Sequence, residues 1–317
     1  MNDTRTTQDR LREINALAWR GQPQAAIPLY DQAIAQDPSC AEAFAFRGLA
    51  YRRLGDYARA LADIGHALQL NPAFAMGHVI RGSTYRELGE MDKALADYGE
   101  AIRLEPEYAA AFANRGLVYD SLGRFDEAVA DYSQAIRLNP QYGAAHNNRG
   151  LAYAELGRYR EAIQDYDQAV RLDPQDPSGF YNRGLARAAL SLYEEAIADY
   201  DEALALDPKD AALYVNRGAA YDALGQTWQA IQDYSQAIAL DPKLAQAHYN
   251  RGLCYSEMAE YPQAIHDLSA ALNLSPDDPA LYRARGDAYA AMGDAGSATL
   301  DYQKAEGRLK GGGTMDG

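Results

Sequence analysis

Positive charge is scarce in this chain. Its 30 lysines and arginines stand against 45 aspartates and glutamates, a formal charge of −15. A surface of that sign repels phosphate backbones and anionic head groups, so nucleic acid and membrane are poor partners and a protein or peptide is the better one. Cysteine is scarcer still. Cys40 and Cys254 are the only two, far apart and without ligand spacing, which argues against a disulfide framework and a zinc site and tolerates a reducing compartment. No stretch approaches the roughly 18 apolar residues of a membrane span, and Met1 to Arg20 is polar and charged, unlike a secretory leader. Cytoplasmic residence is therefore expected. No two histidines lie at i, i+4 with a carboxylate as on a metal-binding helix, and no glycine loop ends in Lys-Ser or Lys-Thr as a phosphate cradle does. We expect no metal, no cofactor and no enzyme activity.

What the chain does have is a period. Pro38, Pro72, Pro106, Pro140, Pro174, Pro208, Pro242 and Pro276 fall 34 residues apart with no insertion or deletion. Taking each proline as position 32 gives repeats at 7–40, 41–74, 75–108, 109–142, 143–176, 177–210, 211–244, 245–278 and 279–310, preceded by a flexible segment 1–6 and followed by a glycine-rich, disordered tail 311–317. Positions 20 and 27 are Ala in all nine repeats, from Ala26 to Ala298 and from Ala33 to Ala305. Position 8 is Gly in eight, from Gly48 to Gly286, and position 11 is Tyr in seven. Glycine inside a helix costs about 1 kcal/mol against alanine, so its recurrence requires a neighbouring helix that touches the backbone there.

Each repeat reads as helix A over positions 1 to 14, a turn marked by glycine at position 15, and helix B up to the proline, because the residue before proline is pushed out of the helical region. Apolar residues in helix B recur at helical spacing, as in Ile163, Tyr166, Val170 and Leu172. One hairpin buries too little to offset its ordering entropy, so stability requires stacked neighbours. An aromatic or His at position 4, Gly at 8, Tyr at 11, Ala at 20, an aromatic at 24, Ala at 27 and Pro at 32 together resemble the tetratricopeptide repeat family over residues 7 to about 310. The resemblance implies an all-α fold, a right-handed α-solenoid (superhelix) of antiparallel helix-turn-helix repeats. It also implies that extended peptides are held on the concave inside.

Position 7 is Arg and position 23 is Asp in repeats two to nine, while repeat one has Glu13 and Leu29. The joint disappearance predicts an ion pair between helices A and B of one repeat. His78, His146 and His248 share position 4 with Phe44, Phe112 and Phe180, so packing rather than metal binding is their expected role. Repeat six departs from the pattern with Arg187 in place of Tyr and Ser191 in place of the turn glycine, which implies local softness or a special contact. The last helix B carries Thr299, Glu306 and Arg308 where the preceding repeat has Ile265, Leu272 and Leu274, as suits a capping helix.

At about 100° per residue, positions 4, 7, 8 and 11 of helix A share one face and positions 2, 5, 6, 9, 12 and 13 the other. By the resemblance the second face lines the groove. Its position 6 is Asn in five successive repeats: Asn114, Asn148, Asn182, Asn216 and Asn250. A carboxamide donates and accepts, so this row can grip a peptide backbone with little regard to sequence; pairing of each Asn with the next helix A is the alternative. Tyr181 and Tyr249, with Leu117, Leu151, Leu185, Leu253 and Trp19, offer apolar pockets. Arg52, Arg53 and Arg86, then Asp120, Glu155, Asp222 and Glu257, predict a groove that changes sign along the chain. The family's chaperone adaptors clamp a terminal carboxylate with lysines at positions 2 and 5, and no repeat has Lys at either. The expected function is a scaffold or adaptor binding an internal peptide segment. A self-associating structural scaffold and a recruiting subunit of a separately encoded enzyme are the alternatives.

Overall fold

The computed structural model describes residues 7–311. The ends 1–6 and 312–317, where flexible and disordered segments were expected, lie outside the described residues, as do the side chains of Trp19 and Arg308. Among the described residues there are eighteen α-helices and no strand. They divide into two compact units, Met1–Gly157 and Arg158–Gly317.

The first holds α1 (Thr7–Trp19), α2 (Pro23–Gln36), α3 (Ala41–Arg53), α4 (Tyr57–Leu70), α5 (Ala75–Glu87), α6 (Met91–Leu104), α7 (Ala109–Ser121), α8 (Phe125–Leu138) and α9 (Gly143–Glu155). The second holds α10 (Tyr159–Leu172), α11 (Pro177–Ala189), α12 (Tyr193–Leu206), α13 (Ala211–Ala223), α14 (Thr227–Leu240), α15 (Ala245–Glu257), α16 (Tyr261–Leu274), α17 (Pro279–Met292) and α18 (Ala295–Gly311). Odd-numbered elements are A helices and even-numbered ones B helices, in tandem antiparallel pairs. This is the α-solenoid class of fold.

Local chemistry sets both turns. After helix A the chain passes through a left-handed residue, as at Gly123 (φ 68°) and Gly225 (φ 70°). The next backbone N–H then returns to the carbonyl of position 11, as Arg124 does to Tyr119 at 2.9 Å, closing off the helix end. Ser191 (φ 59°) and Ala259 (φ 61°) hold the same conformation with a Cβ attached, at a steric cost. After helix B an Asp or Asn at position 31 in six repeats accepts from the backbone two residues on, as Asp241 does from Lys243 at 2.9 Å, and the proline between them prevents the helix from continuing. Asp176, Asp210 and Asp278 then cap the next A helix.

The recurring glycine is explained by close approach of helix B of its own repeat. A Cβ on Gly116 would come within 2.8 Å of the Tyr132 ring, and one on Gly184 within 2.6 Å of Tyr200. The rings at position 24 are among the largest fully buried side chains, flanked by the buried alanines of positions 20 and 27.

The Arg–Asp pair forms as expected. Arg115 Nε and Nη2 donate to Asp131 at 2.7 and 2.8 Å. Arg251 does the same to Asp267 at 2.6 and 2.8 Å. The guanidinium also lies over aromatic rings, Arg115 over Phe112 and Tyr119 at 5.8 and 5.9 Å. Repeat six has a special contact: Arg187 Nη1 donates to Asp199 at 2.7 Å, so that carboxylate holds two arginines. The position 4 histidines are packed and bond the proline carbonyl of the preceding repeat, with His78, His146 and His248 at 3.1, 3.2 and 3.2 Å. In α18, Thr299 and Glu306 are exposed.

Candidate functional site

Because the small residues at positions 8 and 20 let helix B close against one side of helix A, the other side of each A helix is left uncovered by its own partner. Leu151 and Leu185 at position 9 are 41% and 37% exposed, and all five asparagines at position 6 are half-buried.

In the first unit, Asn114 Nδ2 donates to the Ala110 carbonyl of its own helix at 2.8 Å, while Asn148 has no hydrogen-bond partner among the described residues. In the second, Asn216 Nδ2 donates to Ala212 at 2.9 Å and to the Tyr181 hydroxyl at 3.2 Å. Asn250 accepts from Gln246 Nε2 at 2.6 Å. The side-chain oxygens of Asn114 and Asn216 accept no hydrogen bond among the described residues. Part of the donor capacity of the row is thus directed at its own helices.

Charge at positions 12 and 13 is more balanced than the residue types imply. Arg52 pairs with Glu87 at 2.5 Å, and Arg53 Nη1 donates to the Ala18 carbonyl at 2.8 Å. Half-buried Arg86 makes no ion pair among the described residues. Asp120 accepts from the Tyr132 hydroxyl at 2.6 Å, and its other oxygen is buried without a partner among the described residues. Burial and the nearby Glu155 push its carboxyl above the usual range, partly offset by Tyr132. Glu155 and Glu257 are exposed, and Asp222 lies 3.4 Å from the Cys254 sulfur. Burial, then Asp222, raises the Cys254 thiol well above its ordinary value, which leaves it an inert thiol.

Sequence reasoning missed the tyrosines of position 24. Their rings belong to helix B, yet their hydroxyls emerge among the A-helix side chains: Tyr98 and Tyr302 pass beside Gly82 and Gly286 to reach Ser83 at 3.0 Å and Asp287 at 2.8 Å, and Tyr30, whose repeat has Ile14 at position 8, reaches Asn15 at 2.5 Å. Gly at 8 together with Tyr at 24, in six of the nine repeats, was the available signal.

In the second unit a cleft of about 620 Å³ opens between α15 and α17. Tyr249, Leu253, Glu257, Ala284, Arg283 and Asp287 are among its walls. Ala284 on its α17 wall stands at position 6, where α15 has Asn250.

Family models described as "Tetratricopeptide repeat" match residues 11–75, 115–177 and 147–211, and others with that description match 199–232 and 245–278. A "TPR repeat" model matches 82–123 and 223–258. The chain belongs to the tetratricopeptide repeat family. No curated protein matches it significantly. Among solved structures, a tetratricopeptide repeat protein from Parabacteroides merdae is similar at TM-score 0.55 and 21% identity, over 78% of this chain and 98% of that one. The C-terminal part of a repeat protein from Cytophaga hutchinsonii reaches TM-score 0.60 at 18% identity, over 75% and 98%. YrrB, described as having an unusual peptide-binding site, reaches 0.54 at 23% identity, over 58% and 95%. At these identities the likeness is one of fold. No helix among the described residues of this tetratricopeptide repeat chain is long and apolar enough to cross a membrane.

Proposed function

We propose that this tetratricopeptide repeat chain is a non-catalytic interaction scaffold that holds an extended segment of a partner protein on the A-helix face of its second compact unit. The observation that carries the reading is the half-buried row Asn182, Asn216 and Asn250 on successive A helices, together with the cleft walled by Tyr249 and Leu253 of the last of these helices. The asparagines bond the peptide backbone, and Tyr181, Leu185, Tyr249 and Leu253 receive its apolar side chains. Asp222, Glu257 and Asp287 favour a segment that carries lysine or arginine. Asn114 and Asn148 offer the same chemistry in the first unit. Each backbone hydrogen bond contributes a net ~0.5–1.5 kcal/mol; with the apolar contacts and against the cost of ordering the peptide, the affinity is on the order of 1–10 μM.

The test is selection of peptides from a random displayed library by the full chain, followed by calorimetry with the recovered peptide. Replacing Asn182, Asn216 and Asn250 together by Ala is expected to weaken binding at least about tenfold, one lost hydrogen bond's worth or more, with helical content unchanged. Unchanged affinity in the folded triple variant refutes the reading.

A further inference from the structure

Position 25 of helix B carries a second pattern, on the side of the repeat away from the asparagines. In six repeats its side chain meets the Arg at position 7 of the next repeat, always at Nη1. Asp31 meets Arg47 at 2.6 Å, Asp167 meets Arg183 at 2.6 Å and Asp201 meets Arg217 at 2.5 Å. Ser133, Ser235 and Ser269 meet Arg149, Arg251 and Arg285, each at 2.9 Å. The two exceptions are Gly65 and Gly99, which face Arg81 and Arg115. There Nε and Nη2 hold Asp97 and Asp131 as usual, and Nη1 has no partner among the described residues.

Packing does not account for these glycines. A Cβ on either would meet nothing within 4 Å, and glycine weakens a helix interior. The space is instead open. The Arg81 side chain is 28% exposed and Arg115 23%, against 19% for Arg47 and 18% for Arg251. Beside Arg81 it forms a cleft of about 470 Å³ between α4 and α5, walled by Gly65, Pro72, His78, Arg81 and Glu100.

We propose that this cleft receives an aspartate or glutamate side chain of a partner polypeptide, which takes on Arg81 Nη1 the place that Asp31 takes on Arg47. The chain itself supplies the template: Arg47 holds two carboxylates at once, at 2.6 and 2.7 Å, so a guanidinium already paired with its own repeat accepts a second. The surrounding charge permits it. His78 contacts Asp97 and the Pro72 carbonyl at 3.1 Å through its two ring nitrogens, an arrangement that favours imidazolium, and Glu100 is held by Arg103 at 2.6 Å. Arg115, one repeat further on, offers a second opening of the same kind, so an acidic segment can engage both.

The experiment follows arginine side-chain resonances of the full chain by ¹⁵N-edited NMR while acetate replaces chloride at constant ionic strength. Arg81 and Arg115 are expected to respond saturably, with a midpoint on the order of 10 mM, while Arg47 and Arg217 stay still. Gly65→Asp, with Gly65→Ser as a second filling variant, removes the Arg81 response and leaves that of Arg115; Gly65→Ala retains both. An acetylated hexaglutamate peptide binds at least roughly tenfold more tightly than acetate through the two openings. The proposal is overturned if Arg81 responds no more than Arg47, or if its response survives both filling variants. Equal midpoints for acetate and peptide overturn the polypeptide as occupant and leave a small carboxylate.

Discussion

Arg217 joins two repeats: it holds both oxygens of Asp233 in its own repeat at 2.8 and 2.7 Å and reaches Asp201 of the preceding one at 2.5 Å. The two bonds to Asp233 are sheltered, since that carboxylate is buried, whereas Asp201 is half in water. Asp233→Ala leaves a partly buried guanidinium with only the half-solvated Asp201 as partner and is expected to lower unfolding free energy by about 3 kcal/mol. Asp201→Ala removes a solvated contact and should cost about 0.5 kcal/mol or less. Denaturant titrations of both variants, with Arg217→Ala and the Arg217→Ala/Asp233→Ala double variant, check the ordering; zero coupling between Arg217 and Asp233 contradicts it.

Gly184 lies closest to its neighbour, with room for a Cβ only 2.6 Å from the Tyr200 ring. Gly184→Ala gains helix propensity and still is expected to lose about 1–3 kcal/mol overall, because the buried ring must move. Gly65→Ala, with nothing nearby, should gain up to about 1 kcal/mol. Opposite signs in thermal melts of the two variants are the expected result.

The repeat, the hairpins, the glycine contact and the Arg–Asp pair were legible because each depends on which face of a helix a residue occupies, and a strict 34-residue period reports faces directly. The pairing of positions 7 and 23 could be read because Glu13 and Leu29 replace both partners at once. What could not be read depends on side-chain rotamers and on neighbours in the next repeat. Asn114 and Asn216 turn a donor back to their own helices, Arg52 is neutralised by Glu87, and Tyr98 sends its hydroxyl from one helix to the far face of another. Spacing places these side chains on a face and leaves open which partner, or which direction along it, each one takes.

Ser191 and Ala259 sit at φ 59° and 61°, where other repeats have glycine. Each Cβ is strained there. Ser191→Gly and Ala259→Gly are each expected to raise stability by about 1 kcal/mol, and the double variant by nearly the sum, since the sites lie in different hairpins. A lower melting temperature in either variant contradicts the strain.

His78 gives the stability a pH dependence of known sign. Its hydrogen bond to Asp97 raises its pKa above the ordinary histidine value despite burial, with a smaller contribution from the Pro72 carbonyl. The protonated ring therefore stabilises the fold. That contribution is complete below the unfolded value near 6.5 and is lost as pH rises through the higher folded value. His78→Phe, the residue type at Phe44, should abolish this alkaline-side decline. A wild-type stability that rises over the same interval, after subtraction of the variant, contradicts the assignment.

Whether a peptide lies on the A-helix face of the second unit can be read by site-specific photo-crosslinking. A benzophenone amino acid replaces Leu185 on that face or exposed Glu194 on helix B, and each full-length variant is irradiated with the library-selected peptide. Crosslinks are expected from position 185, abolished by excess unlabelled peptide, and none from position 194. Crosslinking from 194 with none from 185 would contradict that placement.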